Sequence, residues 1–145
     1  MIIFSKILKL YKLPVLEKIF LIEAFILCLI ISLLTKIIPP KYYLMFIASG
    51  NMKNKHDSDS SNFYIRLLRL SINRVNRVFP WRLTCLVKSI CFKLMSYTIE
   101  LDCVVSFNVI SVNGKLVAHS SVKYNNQTVY LNNNYMEKFN SILNL

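Results

Sequence analysis

The stretch Pro80-Trp81-Arg82-Leu83-Thr84-Cys85-Leu86-Val87-Lys88-Ser89 decides how the chain is read. Pro80 ends whatever helix precedes it, because the residue before a proline is pushed out of the helical region. An apolar helical pattern then begins, and Leu86, Val87, Ile90, Leu94 and Met95 predict a helix over about Leu83 to Ser96. Cys85 falls in its first turn. Unpaired backbone N–H groups and the helix dipole favour a thiolate there, and the same N–H groups can line an oxyanion hole. A cysteine in isolation is more often a packed core residue. Cys85 differs by its position and by His119, 34 residues further on in a strand-like run.

Working outward, the period changes to two from Glu100: Leu101, Cys103, Val105, Phe107 and Val109 alternate with more polar neighbours. Asn113-Gly114 is the strongest hairpin signal, since both central residues of a type I′ turn need positive φ. A two-residue loop there pairs Val112 with Lys115, Ile110 with Val117 and Asn108 with His119. Asn125-Asn126 offers a second such turn, pairing Tyr124 with Gln127, Val122 with Val129 and Ser121 with Tyr130. Continued, that register sets His119 opposite Asn132, and directly opposed residues share a face. The roles then separate: Cys85 attacks a peptide carbonyl, His119 takes and returns its proton, and Asn132 orients the imidazole. Without the Pro80-Trp81-Arg82-x-Thr84-Cys85 context, the preferred reading is His119 as a structural strand histidine and Asn132 as a turn residue.

Between Phe63 and Phe79 an amphipathic helix is expected, with Leu68, Ile72, Val75 and Phe79 on one stripe and Arg66, Arg69, Asn73, Arg74 and Arg77 largely off it. An arginine face of this kind either holds an acidic peptide or is simply solvated. Residues 51–62 (NMKNKHDSDSSN) read as a polar linker, with Asp59, Ser60 or Ser61 capping the helix that follows. His56 beside Asp57 reads as a solvated loop histidine.

The first fifty residues hold most of the apolar surplus behind a mean hydropathy of +0.44. A long helix is expected from about Val15 to Ile37, with Pro14 near its start and Pro39-Pro40 stopping it. Glu23 and Lys36 leave twelve consecutive uncharged residues between them, a length more typical of a buried helix than of a span. It is apolar on nearly all sides, so it is covered by protein, by a partner or by lipid. Residues 1–13, with Lys6, Lys9 and Lys12 at helical spacing, read as a short basic amphipathic helix. The reading is thus an apolar helical segment over 1–50, a linker over 51–62 and a core over 63–145, together one compact domain.

With 18 Lys and Arg against 7 Asp and Glu, the net charge is +11. The charges are spread, and no run of five like charges marks a nucleic-acid arm. Only two glycines exclude phosphate-cradling loops. Cys28, Cys85, Cys91 and Cys103 form no C-x-x-C pair, so no zinc site is expected, and reduced thiols in the cytoplasm are the simplest account. No cofactor or metal is called for.

Pro80-Trp81-Arg82-x-Thr84-Cys85-Leu86-Val87, preceded by an arginine-bearing helix and followed by Ala118-His119, resembles the lasso peptide biosynthesis leader peptidase, in the standalone form that carries only a transglutaminase-like domain. The likeness runs from about Phe63 to Asn134. It implies an α+β fold: N-terminal helices, then a transglutaminase-like or papain-like core with the cysteine on a helix N-terminus and the histidine on an antiparallel sheet. It implies a cytoplasmic cysteine peptidase, with Cys85 as nucleophile and His119 as base, that removes the leader from a ribosomally made precursor peptide. The partners implied are that precursor, a small PqqD-like leader-recognition protein and an asparagine-synthetase-like macrolactam cyclase. Where that family has His-Ala-Trp this chain has His119-Ser120-Ser121, and Asn132 and its neighbours stand near the usual Asp. Two other classes stay open: a non-catalytic scaffold of the same fold that binds precursor or cyclase, and a small membrane-associated protein held by the N-terminal apolar helix.

Overall fold

The computed structural model describes residues 13–39, 41, 42, 45, 58–112, 114–125 and 127–130. The expected basic helix at the start, His56 and Asn132 lie outside the described residues. Among the described residues the helices α1 (Val15–Ile37), α2 (Ser58–Val78) and α3 (Cys85–Thr98) precede the strands β1 (Cys103–Val112), β2 (Lys115–Tyr124) and β3 (Gln127–Tyr130). The strands form one antiparallel sheet in the order β1-β2-β3. The fold is α+β, as the sequence implied.

α1 has the expected bounds for the expected reason. Pro14 supplies its first carbonyl, to Lys18 N–H at 3.2 Å, and the helix closes at Ile38 one residue before Pro39. Phe20, Ala24, Cys28 and Ile31 recur at three- and four-residue steps and are buried. This face meets α2 and α3. Cys28 Sγ lies 3.5 Å from Cys91 Sγ of α3, and the Glu17 carboxylate accepts from Arg74 of α2 at 2.7 Å. Arg74 is therefore a structural contact, while Arg66, Arg69 and Arg77 are exposed.

α2 begins at Ser58, five residues before the expected Phe63. The end of the polar run is helix, so Asp59, Ser60 and Ser61 stand inside it rather than capping it. Ser61 is fully buried and accepts from the Tyr124 hydroxyl of β2 at 3.0 Å. A tertiary hydrogen bond thus draws into the helix a stretch whose composition alone favours a loop.

α3 is capped by Thr84, whose Oγ1 accepts from Val87 N–H at 3.3 Å. It closes on Glu100, which takes a left-handed φ of 56°, with Leu101 N–H bonded to Ser96 O at 2.9 Å. The core lies between the three helices and one face of the sheet. Phe92 is fully buried there, its ring centroid 5.4 Å from that of Tyr130. Phe92→Ala is expected to cost about 3–5 kcal/mol by transfer and cavity terms, read as a lowered urea midpoint. A cost below about 1 kcal/mol would mean that this packing does not hold the domain together.

The first hairpin has the expected register throughout: Val112 with Lys115, Ile110 with Val117, Asn108 with His119. Gly114 takes a φ of 74°, the left-handed value that made Asn-Gly legible. The second hairpin starts as expected, Tyr124 with Gln127, and Asn125 is left-handed at 48°. A bulge between Val122 and Lys123 then shifts the pairing, so Val122 faces Tyr130 rather than Val129. The expected pairing of Ser121 with Tyr130 is displaced too. The inserted residue swings the Tyr130 ring onto Phe92, and the register arithmetic that set His119 opposite Asn132 loses its premise.

Candidate active site

The loop leading into Cys85 is fixed to α1. Trp81 Nε1 donates to Ser32 Oγ at 2.7 Å, and the Trp81 ring stands edge-on to Phe79 with centroids 4.9 Å apart. Phe79 in turn meets Phe25 of α1 at 5.5 Å. Lys36 lies over the Trp81 ring, its Nζ 5.0 Å from the centroid. An indole that bonds at its edge and packs on its faces holds the chain's path up to Thr84. Trp81 therefore fixes the loop that leads into Cys85.

Cys85 is the first residue of α3, directly after the Thr84 cap. It is half-buried, whereas Cys28, Cys91 and Cys103 are fully buried. Of the four thiols it is the one that solvent and substrate can reach, and α3 has no acidic residue in its first turn to oppose an anion.

Three residues further on stands Lys88, only 4% exposed. Residues at this spacing are neighbours on one helix face. Burial pushes its ammonium below the usual lysine range; Cys85 acts to restore the charge, and the nearby Arg82 opposes it. Among the described residues no carboxylate stands within ion-pair distance of Lys88. Lys88 and Cys85 are thus electrostatic neighbours one turn apart on α3.

His119 is buried at 3% exposure on β2, the central strand. Burial lowers its basicity below the ordinary imidazole value, and the charge of Lys88 adds to that effect. Cys85 and His119 thus share Lys88 as an electrostatic neighbour. The direct contact between β2 and α3 is made one residue later, where Ser120 Oγ and Ser89 Oγ lie 3.0 Å apart, both buried. Side chains alternate along a strand, so His119 leaves β2 on the face opposite Ser120.

Sequence reasoning missed Lys88 and the Ser89–Ser120 bond. A lysine in a helix is ordinarily solvated, and the one available signal was its spacing from Cys85 on a face shared with apolar residues. Among the described residues no group of three His, Cys, Asp or Glu side chains is placed to hold a metal.

The thiol at the capped start of α3, the buried lysine one turn on and the histidine on the central strand make up the candidate site. Residues 28–144 match a family described as the transglutaminase-like superfamily. The chain belongs to the transglutaminase-like superfamily. The matched region begins in the middle of α1, so the second half of the apolar helix lies within it. The superfamily includes cysteine peptidases. No curated protein and no solved structure matches the chain significantly.

Proposed function

We propose that the chain is a cysteine peptidase that removes the leader from a ribosomally made precursor during lasso peptide biosynthesis. The observation that carries the reading is the place of Cys85, a half-buried thiol heading α3 beside buried Lys88, in a chain of the transglutaminase-like superfamily. In this reading the Cys85 thiolate attacks the carbonyl carbon at the leader junction, and the N–H groups of the first turn receive the oxyanion. The C–N bond breaks as the amine leaves with a proton from His119, and water then releases the leader acid from the thioester. The sequence motif supports the lasso assignment, with a PqqD-like leader-recognition protein delivering the precursor and an asparagine-synthetase-like cyclase taking the core peptide. Incubated with precursor and the recognition protein, the purified chain is expected to give two products whose masses sum to the precursor plus one water. Intact precursor after many enzyme equivalents of time overturns the reading.

The third member of the site comes from the asparagines after β3. Single Asn132→Ala, Asn133→Ala and Asn134→Ala variants are expected to differ, with one losing about tenfold or more in kcat/KM, an orienting hydrogen bond being worth at least that much. Asn132 is the residue that the unshifted register sets opposite His119; the shift at Val122, carried on, sets Asn133 there instead. A loss confined to Asn133 would show that the bulge is carried on past Tyr130; three unaffected variants would remove an asparagine from the site.

One observation favours a second reading, a non-catalytic binder of precursor or cyclase: the buried Ser89–Ser120 hydrogen bond ties β2 to α3 as a structural contact beside the candidate site. Alkylation separates the two. In a peptidase, His119→Ala slows the labelling of Cys85 near neutral pH; in a binder it leaves that rate unchanged.

A further inference from the structure

α1 carries two apolar faces, and among the described residues one of them is packed and the other exposed. The exposed side chains include Val15 (72%), Ile19, Ile22, Ile26, Ile30, Leu33 and Ile37 (79%). Their steps are four, three and four residues from Val15 to Ile26, and the same again from Ile26 to Ile37. An eleven-residue repeat of this kind runs at about 3.67 residues per turn, close to the 3.6 of a straight helix, whereas a left-handed coiled-coil partner needs a 3.5 repeat. The stripe is therefore straight along the whole helix, about 35 Å at 1.5 Å per residue. Phe25, Leu29 and Leu34 are also exposed and widen it. A straight, wide, aliphatic band matches a flat surface better than a second helix.

Two further observations bear on the occupant. The net charge of +11 sets two copies of the chain against each other and draws one copy to an anionic surface. Amphipathic aromatics of the kind found at membrane–water boundaries flank the stripe. Trp81, 36% exposed, lies beside the C-terminal end under Lys36, and Tyr97, 56% exposed, lines an open groove of about 720 Å³ with Ile19, Ile22 and Ile26. Glu23 also lines that groove, and its carboxylate accepts from Thr98 Oγ1 at 3.3 Å.

α1 is the helix among the described residues long and apolar enough to cross a membrane by length and composition. Its opposite face argues against crossing. Phe20, Ala24, Cys28 and Ile31 are each 5% exposed or less, and Glu17 is paired with Arg74. A transmembrane α1 would strip α2 and α3 of the packed face that these residues supply.

We propose that the exposed stripe of α1 docks the folded domain onto an anionic lipid bilayer, with the helix lying in the plane of the interface. Lys36 and Lys41 are exposed at its C-terminal end and meet the headgroups, while the aliphatic band enters the acyl boundary. The proposal stands apart from the peptidase reading and is tested without any substrate.

The full chain is mixed with vesicles of phosphatidylcholine and phosphatidylglycerol (7:3) or of phosphatidylcholine alone, and binding is read by co-sedimentation. Binding to the anionic vesicles is expected to be at least tenfold tighter than to the neutral ones. The double variant Ile26→Lys, Leu33→Lys adds two positive charges, so attraction by charge alone would strengthen its binding. On the proposal its binding falls at least tenfold, with an unchanged circular dichroism spectrum. The chain's one tryptophan lies beside the stripe, so brominated lipids should quench the wild-type fluorescence, most strongly when the bromines are near the headgroup. Absence of binding, retained binding by the variant, or no quenching overturns the proposal. So does a wild-type dimer in sedimentation that the double variant dissociates, which would assign the stripe to a second copy.

Discussion

Replacing Cys85 with alanine is expected to lower precursor cleavage by at least a thousandfold, on the order of the losses seen when a catalytic nucleophile is removed. The expectation follows from where the thiol sits. Cys85 heads α3 after a satisfied Thr84 cap, is half-buried, and has buried Lys88 on its own face one turn away. Cys28, Cys91 and Cys103 are buried and cannot take over its role. The substitution removes one partly exposed sulfur and leaves the cap intact, so the thermal midpoint should move by no more than about 2 °C, a surface-type effect well below 1 kcal/mol. The folded wild-type chain should also take up one equivalent of a thiol reagent quickly, and the Cys85→Ala chain none on the same timescale. Undiminished cleavage by the alanine variant would remove Cys85 from the chemistry; a lost midpoint together with lost cleavage would make it a packing residue.

The parts of this fold that were legible in the sequence are those set by local chemistry. Pro14 and Pro39 bound α1, Asn113-Gly114 fixes the first hairpin to the residue, and Pro80 with the apolar pattern after it puts Cys85 in the first turn of a helix, although that helix starts two residues later than expected, after the Thr84 cap. What was not legible depends on distant contacts. The helical start at Ser58 rests on the bond between Ser61 and Tyr124, 63 residues away. The bulge at Val122 has no glycine to announce it and brings Tyr130 onto Phe92. At the site, the nucleophile's place was readable and its surroundings were not. Lys88 looks like any helical lysine until packing buries it, and nothing in His119-Ser120 says which of the two residues turns toward α3. The apolar excess of α1 was visible, but its division into a packed face and a free face appears only once α2 and α3 are in place.

The Lys88–His119 relation gives the second large effect, and it is a matter of pH. Both groups are bases held below their ordinary values: His119 by burial and then by Lys88, Lys88 mainly by burial. A general base must be neutral to accept a proton, so the acid limb of kcat/KM should lie below pH 6.5, the ordinary imidazole value, if His119 sets it. Lys88→Met keeps the length and burial of the side chain and removes the charge. His119 then loses one of its two lowering influences, so the limb should move to higher pH while burial still keeps it below 6.5. Near pH 6 the variant should lose tenfold or more in kcat/KM, an order-of-magnitude figure that also includes the loss of the cation facing Cys85. Lys88→Arg should recover part of the loss, because it restores the charge. The stability of the fold should show the matching sign. A base whose folded-state value is depressed binds more protons when unfolded, so the wild-type fold gains stability as pH rises toward 6.5 and loses it below, as His119 is forced to charge. Lys88→Met should flatten that slope. An acid limb that stays in place in Lys88→Met, with only kcat reduced, would show that Lys88 acts on the thiol alone. A limb that also survives His119→Ala would show that another group carries the proton.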